Sequence, residues 1–127
     1  MVVRSKGKVK TYRDLVAYQE AYSLVMDVFR VTSKYPKDER FSLVDQMRRA
    51  SRSIVLNIAE GWAKRKYENI FKRHMIDSVG SCEEMKVCFD ISLDCGYVEK
   101  DEWSNYYKRY NAVGLMLDSL VDRWVTY

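Results

Sequence analysis

The chain's stock of soft metal ligands and thiol nucleophiles is small: one histidine, His74, and three cysteines, Cys82, Cys88 and Cys95. A single imidazole excludes any two-histidine metal motif. The cysteines are odd in number and lack C-x-x-C spacing, so neither a zinc site nor a disulfide framework is expected, and free thiols in a cytoplasmic protein are the favoured reading. On a helix, His74 and Cys82 would stand about 12 Å apart along the axis, too far for a nucleophile–base hydrogen bond. Gly61 and Gly80 stand alone rather than in a phosphate-binding loop. The sequence therefore predicts no catalytic residue, no metal and no cofactor.

Two other patterns carry information. In "QMRRASRSIVLNIAEGWAKR", residues 46–65, the polar residues Gln46, Arg49, Ser53, Asn57 and Glu60 recur every three or four positions between apolar ones. An enzyme reading would make Glu60 a base, helped by Ser53 or Asn57 and by His74, but no nucleophile–base–orienter set accompanies it. The favoured reading is structural. Gln46, Ser53, Asn57, Glu60 and Gly61 face a neighbouring helix, where small residues permit close approach and buried polar groups find partners. The second pattern is cationic: Arg48, Arg49 and Arg52, then Lys64, Arg65 and Lys66, then Lys72 and Arg73. Such clustering is the expected footprint of a nucleic-acid-binding surface, with Arg48 and Arg52 pointing outward. The competing reading is an ordinary solvated basic face partly neutralised by Asp45 and Glu68. Tyr12, Tyr67, Trp62 and Trp103 are candidates for base stacking, although aromatics at seam positions more often pack in cores.

Charge along the chain is polarised. The net charge is +4, yet residues 1–13 hold Arg4, Lys6, Lys8, Lys10 and Arg13 without an acid. Residues 40–73 are net +6, and residues 74–102 are net −6.

The elements that position these residues are helical. Four segments show 3.6-residue periodicity, and none alternates with period two. The first spans about 14–33, opened by a Thr11/Asp14 capping box and closed at Tyr35-Pro36. It carries two adjacent stripes: Leu15, Tyr18, Tyr22, Val25, Phe29, Thr32, and Ala17, Ala21, Leu24, Val28, Val31, Tyr35. The second spans about 42–63, with Ser42 and Asp45 as a second capping box. The third spans about 67–95, with Gly96 as its left-handed terminator. The fourth spans about 101–125. Short connections make an all-α, antiparallel up-down-up-down four-helix bundle over residues 11–127, preceded by a basic tail at 1–10. The apolar face of the first helix exceeds one bundle seam, so a homo-oligomer is expected. No apolar run reaches the length of a membrane span, and the basic N-terminus lacks the apolar stretch of a secretory signal.

The runs "YRDLVAYQEAYSLVMDVF", "YPKDERFSLVDQMRRASRSIVLNIAEGWAKR", "FKRHMIDSVGSCEEM" and "CGYVEKDEW" resemble the bacterial four-helix-bundle family encoded within intervening sequences of 23S ribosomal RNA genes. The resemblance extends from Tyr12 to Tyr127. It is most specific at Gln46, Arg49, Ser53, Ile54, Asn57, Ile58, Ala59, Glu60 and Gly61, followed by Gly80, Ser81 and Glu84. Ser42 departs from the family's usual Gly. The resemblance implies a ring-shaped homo-oligomer, typically a pentamer, without enzymatic activity. Relatives include accessory variability proteins of diversity-generating retroelements, which implies a reverse transcriptase and its template RNA as alternative partners.

Overall fold

The computed structural model describes residues 9–124; the basic tail through Lys8 and Val125, where the sequence predicts the fourth helix to end, lie outside them. The chain forms α1 (Val16–Thr32), α2 (Leu43–Ala63), α3 (Glu68–Asp94) and α4 (Lys100–Arg123), with 3-10 turns at Tyr12–Asp14 and Lys37–Glu39. Among the described residues there is no strand, and no helix is long and apolar enough to cross a membrane.

Each helix packs on its sequence neighbours, and α1 also packs on α4, which closes a four-membered square with α1 and α3 on one diagonal. The direction of each helix follows from its contacts. Arg48 near the start of α2 reaches Thr32 at the end of α1, Asn57 in the second half of α2 meets His74 in the first half of α3, Phe89 stacks on Tyr106, and Arg109 pairs with Asp27. All adjacent pairs are therefore antiparallel. Leu24, Val28, Met47, Ile54, Ile58, Phe71, Met75, Met85, Phe89, Tyr110 and Leu117 fill the centre and are almost wholly removed from solvent. Burying side chains of this size contributes roughly 1.5–3 kcal/mol each before conformational entropy is counted.

Three helix starts differ from expectation. The Thr11/Asp14 capping box forms, with Asp14 accepting the Thr11 N–H at 3.0 Å, but it closes a 3-10 turn rather than α1. Leu15 then extends (φ −76°, ψ 127°) and enters the core, and the helix starts one residue later. Ser42 makes no capping bond at α2. Its hydroxyl instead donates to Glu39 at 2.6 Å, while Asp45 turns outward to pair with Arg49. At α4 an unforeseen Glu99/Glu102 capping box moves the start back to Lys100. The end of α3 follows expectation: Gly96 sits at φ +79°, with Tyr97 N–H bonded to Ser92 O and Gly96 N–H to Leu93 O. Those two bonds form a Schellman motif.

Glu39 ties the α1–α2 connection to the α3–α4 corner by accepting hydrogen bonds from Ser42 and from the Tyr97 hydroxyl at 2.8 Å. The Ser42 bond, then the Tyr97 bond, holds its carboxyl below the ordinary 4.5. Tyr97 is pushed up to about 12, chiefly by donating to Glu39. A carboxylate depressed in the folded state stabilises the fold above its unfolded pKa, and that contribution disappears as pH falls through 4.5 and below. Glu39→Gln is accordingly expected to lower the melting temperature at pH 7 and to flatten its decline from about pH 5 downward. Circular dichroism melts across that range measure both effects.

Candidate nucleic-acid interface

The polar stripe of α2 lies along the α2–α3 seam at Ser53 and Asn57. Ser53 Oγ and Ser81 Oγ are 2.6 Å apart. Asn57 donates from Nδ2 to Ser53 O, which leaves Oδ1 to accept from His74 Nδ1 at 2.9 Å. With the Nδ1 proton so placed, the other ring nitrogen, Nε2, faces Lys64 Nζ at 3.3 Å. Gly61 is buried against α3. A methyl group there would stand 2.8 Å from His74 Cβ and 2.6 Å from Met75 Cε. Gln46 lies at the exposed margin, 3.5 Å from Glu84. Glu60 departs from expectation: it is exposed and its ion-pair contact is with Lys64 of the adjoining turn, at 4.0 Å. It lies angularly beyond the α3 seam.

The eight cations separate into different environments. Arg48 is the clear correction. It does not point outward but is half-buried against the end of α1, donating from Nε to Thr32 Oγ1 at 3.0 Å and from Nη2 to Phe29 O and Ser33 Oγ. Its guanidinium also lies 4.6 Å from the Phe29 ring centroid. The physical reason is the last turn of α1, whose carbonyls lack helical donors and carry the negative end of the helix dipole. Arg49 is exposed and paired with Asp45 at 3.0 Å. Arg52 is exposed on the same outer face without an ion pair among the described residues.

The second group gathers where α2 turns into α3. Lys64, Arg65 and Lys66 follow one another there without an intervening acid, and Lys72 and Arg73 come one turn into α3. Arg65 donates to Trp62 O at 2.9 Å and stacks on the Trp62 ring at 4.3 Å, so its charge is held in place. Lys66 lies over the Tyr67 ring, which is 59% exposed and has a face open to stacking. Lys72 pairs with Glu68 at 3.4 Å, whereas Arg73 has no ion pair among the described residues. Lys64 is about 18 Å along α2 from Arg52, so the two groups are separate patches on one protomer. Trp103 is committed elsewhere, donating to Asp90 at 2.8 Å, and Tyr12 packs edge-on against Tyr18.

The two buried thiols offer little nucleophilic chemistry, whereas Cys95 is free and exposed. Burial pushes Cys82 up to about 12 and Cys88 to about 11, far from thiolate formation near neutral pH. No group of three His, Cys, Asp or Glu residues converges as a metal site among the described residues. Sequence reasoning passed over Lys86, which is buried between α3 and α4 and donates to Glu83 and Asn111 under the Tyr107 ring. The i,i+3 spacing from Glu83 was its only signal.

These features define an all-helical bundle with a basic corner and a polar α2–α3 seam. The model of the 23S rRNA-intervening sequence protein family matches residues 13–119, and the chain belongs to that family. A solved structure is similar: a protein of unknown function from the S23 ribosomal protein family of Bacteroides thetaiotaomicron. Its TM-score is 0.76 at 13% identity, covering 84% of this chain and 96% of the other. At that identity the likeness concerns the fold. No curated protein matches the chain significantly.

Proposed function

We propose that the chain is a non-enzymatic subunit of a homo-oligomer that binds nucleic acid through the α2–α3 corner. The observation that carries the binding surface is the uninterrupted Lys64-Arg65-Lys66 run beside an exposed Tyr67 and an unpaired Arg73. Cations contact the phosphates, and an aromatic face accepts an unstacked base, a combination suited to single strands. The family's association with intervening sequences of 23S rRNA agrees with an RNA ligand. An oligomer repeats the corner on every protomer, so individually weak contacts combine.

The assembly has its own support. Tyr22 and Phe29 remain 49% and 45% exposed on α1, and Ile76, Val87 and Ile91 are exposed apolar residues on one side of α3, with Gly80 and Glu83 between the first two. These helices occupy opposite corners of the square. Two different faces on opposite sides suit a heterologous contact that repeats around a ring of identical copies.

Filter binding of single-stranded RNA over a salt series tests the nucleic-acid reading. The slope of log K against log salt is expected to be about −0.7 per phosphate contact. Replacing Lys66 and Arg73 with Ala is expected to flatten that slope by about 1.4, or about 0.7 for each lost contact, while leaving the melting temperature unchanged. Absence of binding at low salt, or a slope indifferent to both substitutions, refutes it.

A further inference from the structure

We propose a second anion site at the other end of the bundle, a cleft between the end of α1, the Lys37–Glu39 turn and the start of α2, which takes a small phosphomonoester. The cleft measures about 430 Å³ and is lined by Lys37, Arg40 and Arg48 together with Thr32, Ser33 and Val44. None of its lining residues is acidic. Of three nearby carboxylates, Glu39 accepts from Ser42 and Tyr97, Asp45 pairs with Arg49, and Asp38 is exposed on the turn outside the cleft lining. Two cations from the turn and one from α2 thus line one concavity.

Arg48 makes the site specific. Its Nε and Nη2 donors are bound to Thr32, Phe29 and Ser33, and the Phe29 ring covers one face of the guanidinium. The group is therefore fixed before any ligand arrives, with Nη1 left without a protein acceptor among the described residues. An immobilised donor pair loses little entropy when it receives an anion. Lys37 and Arg40 are exposed and supply the remaining charge. The volume falls in the range of small-molecule sites and leaves room for an organic body beside a phosphate. A nucleoside monophosphate and the phosphorylated end of an oligonucleotide share this chemistry. The site does not rest on the α2–α3 corner.

Adenosine 5′-monophosphate is the probe, titrated calorimetrically into the full chain with adenosine in parallel. Saturable binding of the monophosphate is expected, with adenosine at least about tenfold weaker, because each charge-assisted contact is worth about a factor of ten. The double variant Lys37→Ala/Arg40→Ala should lose about tenfold or more while melting like the wild type. Lys66→Ala/Arg73→Ala should bind as the wild type does, which separates this site from the basic corner. Competition by a 5′-phosphorylated hexanucleotide but not by its 5′-hydroxyl counterpart identifies a strand end as the source, whereas competition by neither identifies the free nucleotide. Absence of saturable binding at millimolar monophosphate, equal affinity for adenosine, or an unaffected double variant overturns the proposal.

Discussion

Light scattering of the full chain is expected to report several times the 15.1 kDa protomer mass, and one charged substitution on either exposed apolar face should reduce it to a single protomer. In a heterologous ring every interface pairs one α1 face with one α3 face, so blocking either kind abolishes every contact. Tyr22→Glu places a carboxylate amid Tyr18, Val25 and Phe29. Val87→Glu places one beside Ile91 on α3, one turn from Glu83. Both positions are exposed in the protomer, so its melting should change little while a desolvated, unpaired charge opposes assembly by several kcal/mol. Mixing the two variants provides the sharper test. Each retains the face the other lacks, so the mixture should form a heterodimer and stop there. A wild-type monomer at micromolar concentration, or two variants that keep the full mass, would rule out this arrangement.

Substitution of Gly61 should be destabilising, and its sign should be opposite to that at Gly114. A side chain at Gly61 meets His74 Cβ at 2.8 Å, an atom fixed to the α3 backbone, and the Met75 methyl at 2.6 Å inside a closed core. The helices must separate, and overpacking of this kind costs roughly 1–3 kcal/mol. For Gly61→Ala the gain in helix propensity offsets up to about 1 kcal/mol, and Gly61→Val gains less because of its β-branch. Around Gly114 nothing lies within 4 Å of a new Cβ, so Gly114→Ala should gain about 0.5–1 kcal/mol. For a chain of this size 1 kcal/mol moves the melting temperature by roughly 3–6 °C. Thermal melts should therefore place Gly61→Val lowest, Gly61→Ala below wild type and Gly114→Ala above it. If Gly61→Ala melts at or above wild type, the α2–α3 seam is looser than the structure describes.

The helices were legible because their information is periodic and local. Leu43, Met47, Ala50 and Ile54 mark a buried face by spacing alone, and Pro36 and Gly96 stop helices through backbone sterics that do not depend on partners. The same periodicity placed Ser53 and Asn57 beside a neighbouring helix, although it could not say that Ser81 and His74 would meet them. The cap chemistry was half-legible: Thr11 and Asp14 bond as spaced, but Ser42 turns to Glu39, which Tyr97 holds from 58 residues away.

The cations show the limit most plainly. Arg48, Arg49 and Arg52 read as one basic run, because sequence counts charge without direction. Only the tertiary structure decided that Arg48 docks on the carbonyls ending α1, that Arg49 is neutralised by Asp45 and that Arg52 is left to solvent. The cleft joining Lys37, Arg40 and Arg48 had no sequence signal for the same reason. Composition, periodicity and turn residues determined that this chain is a polarised helical bundle, since each acts within a few residues of backbone. Which charges are spent within the fold and which remain for a ligand depends on contacts between helices, and those exist only once the core has set the helices against one another.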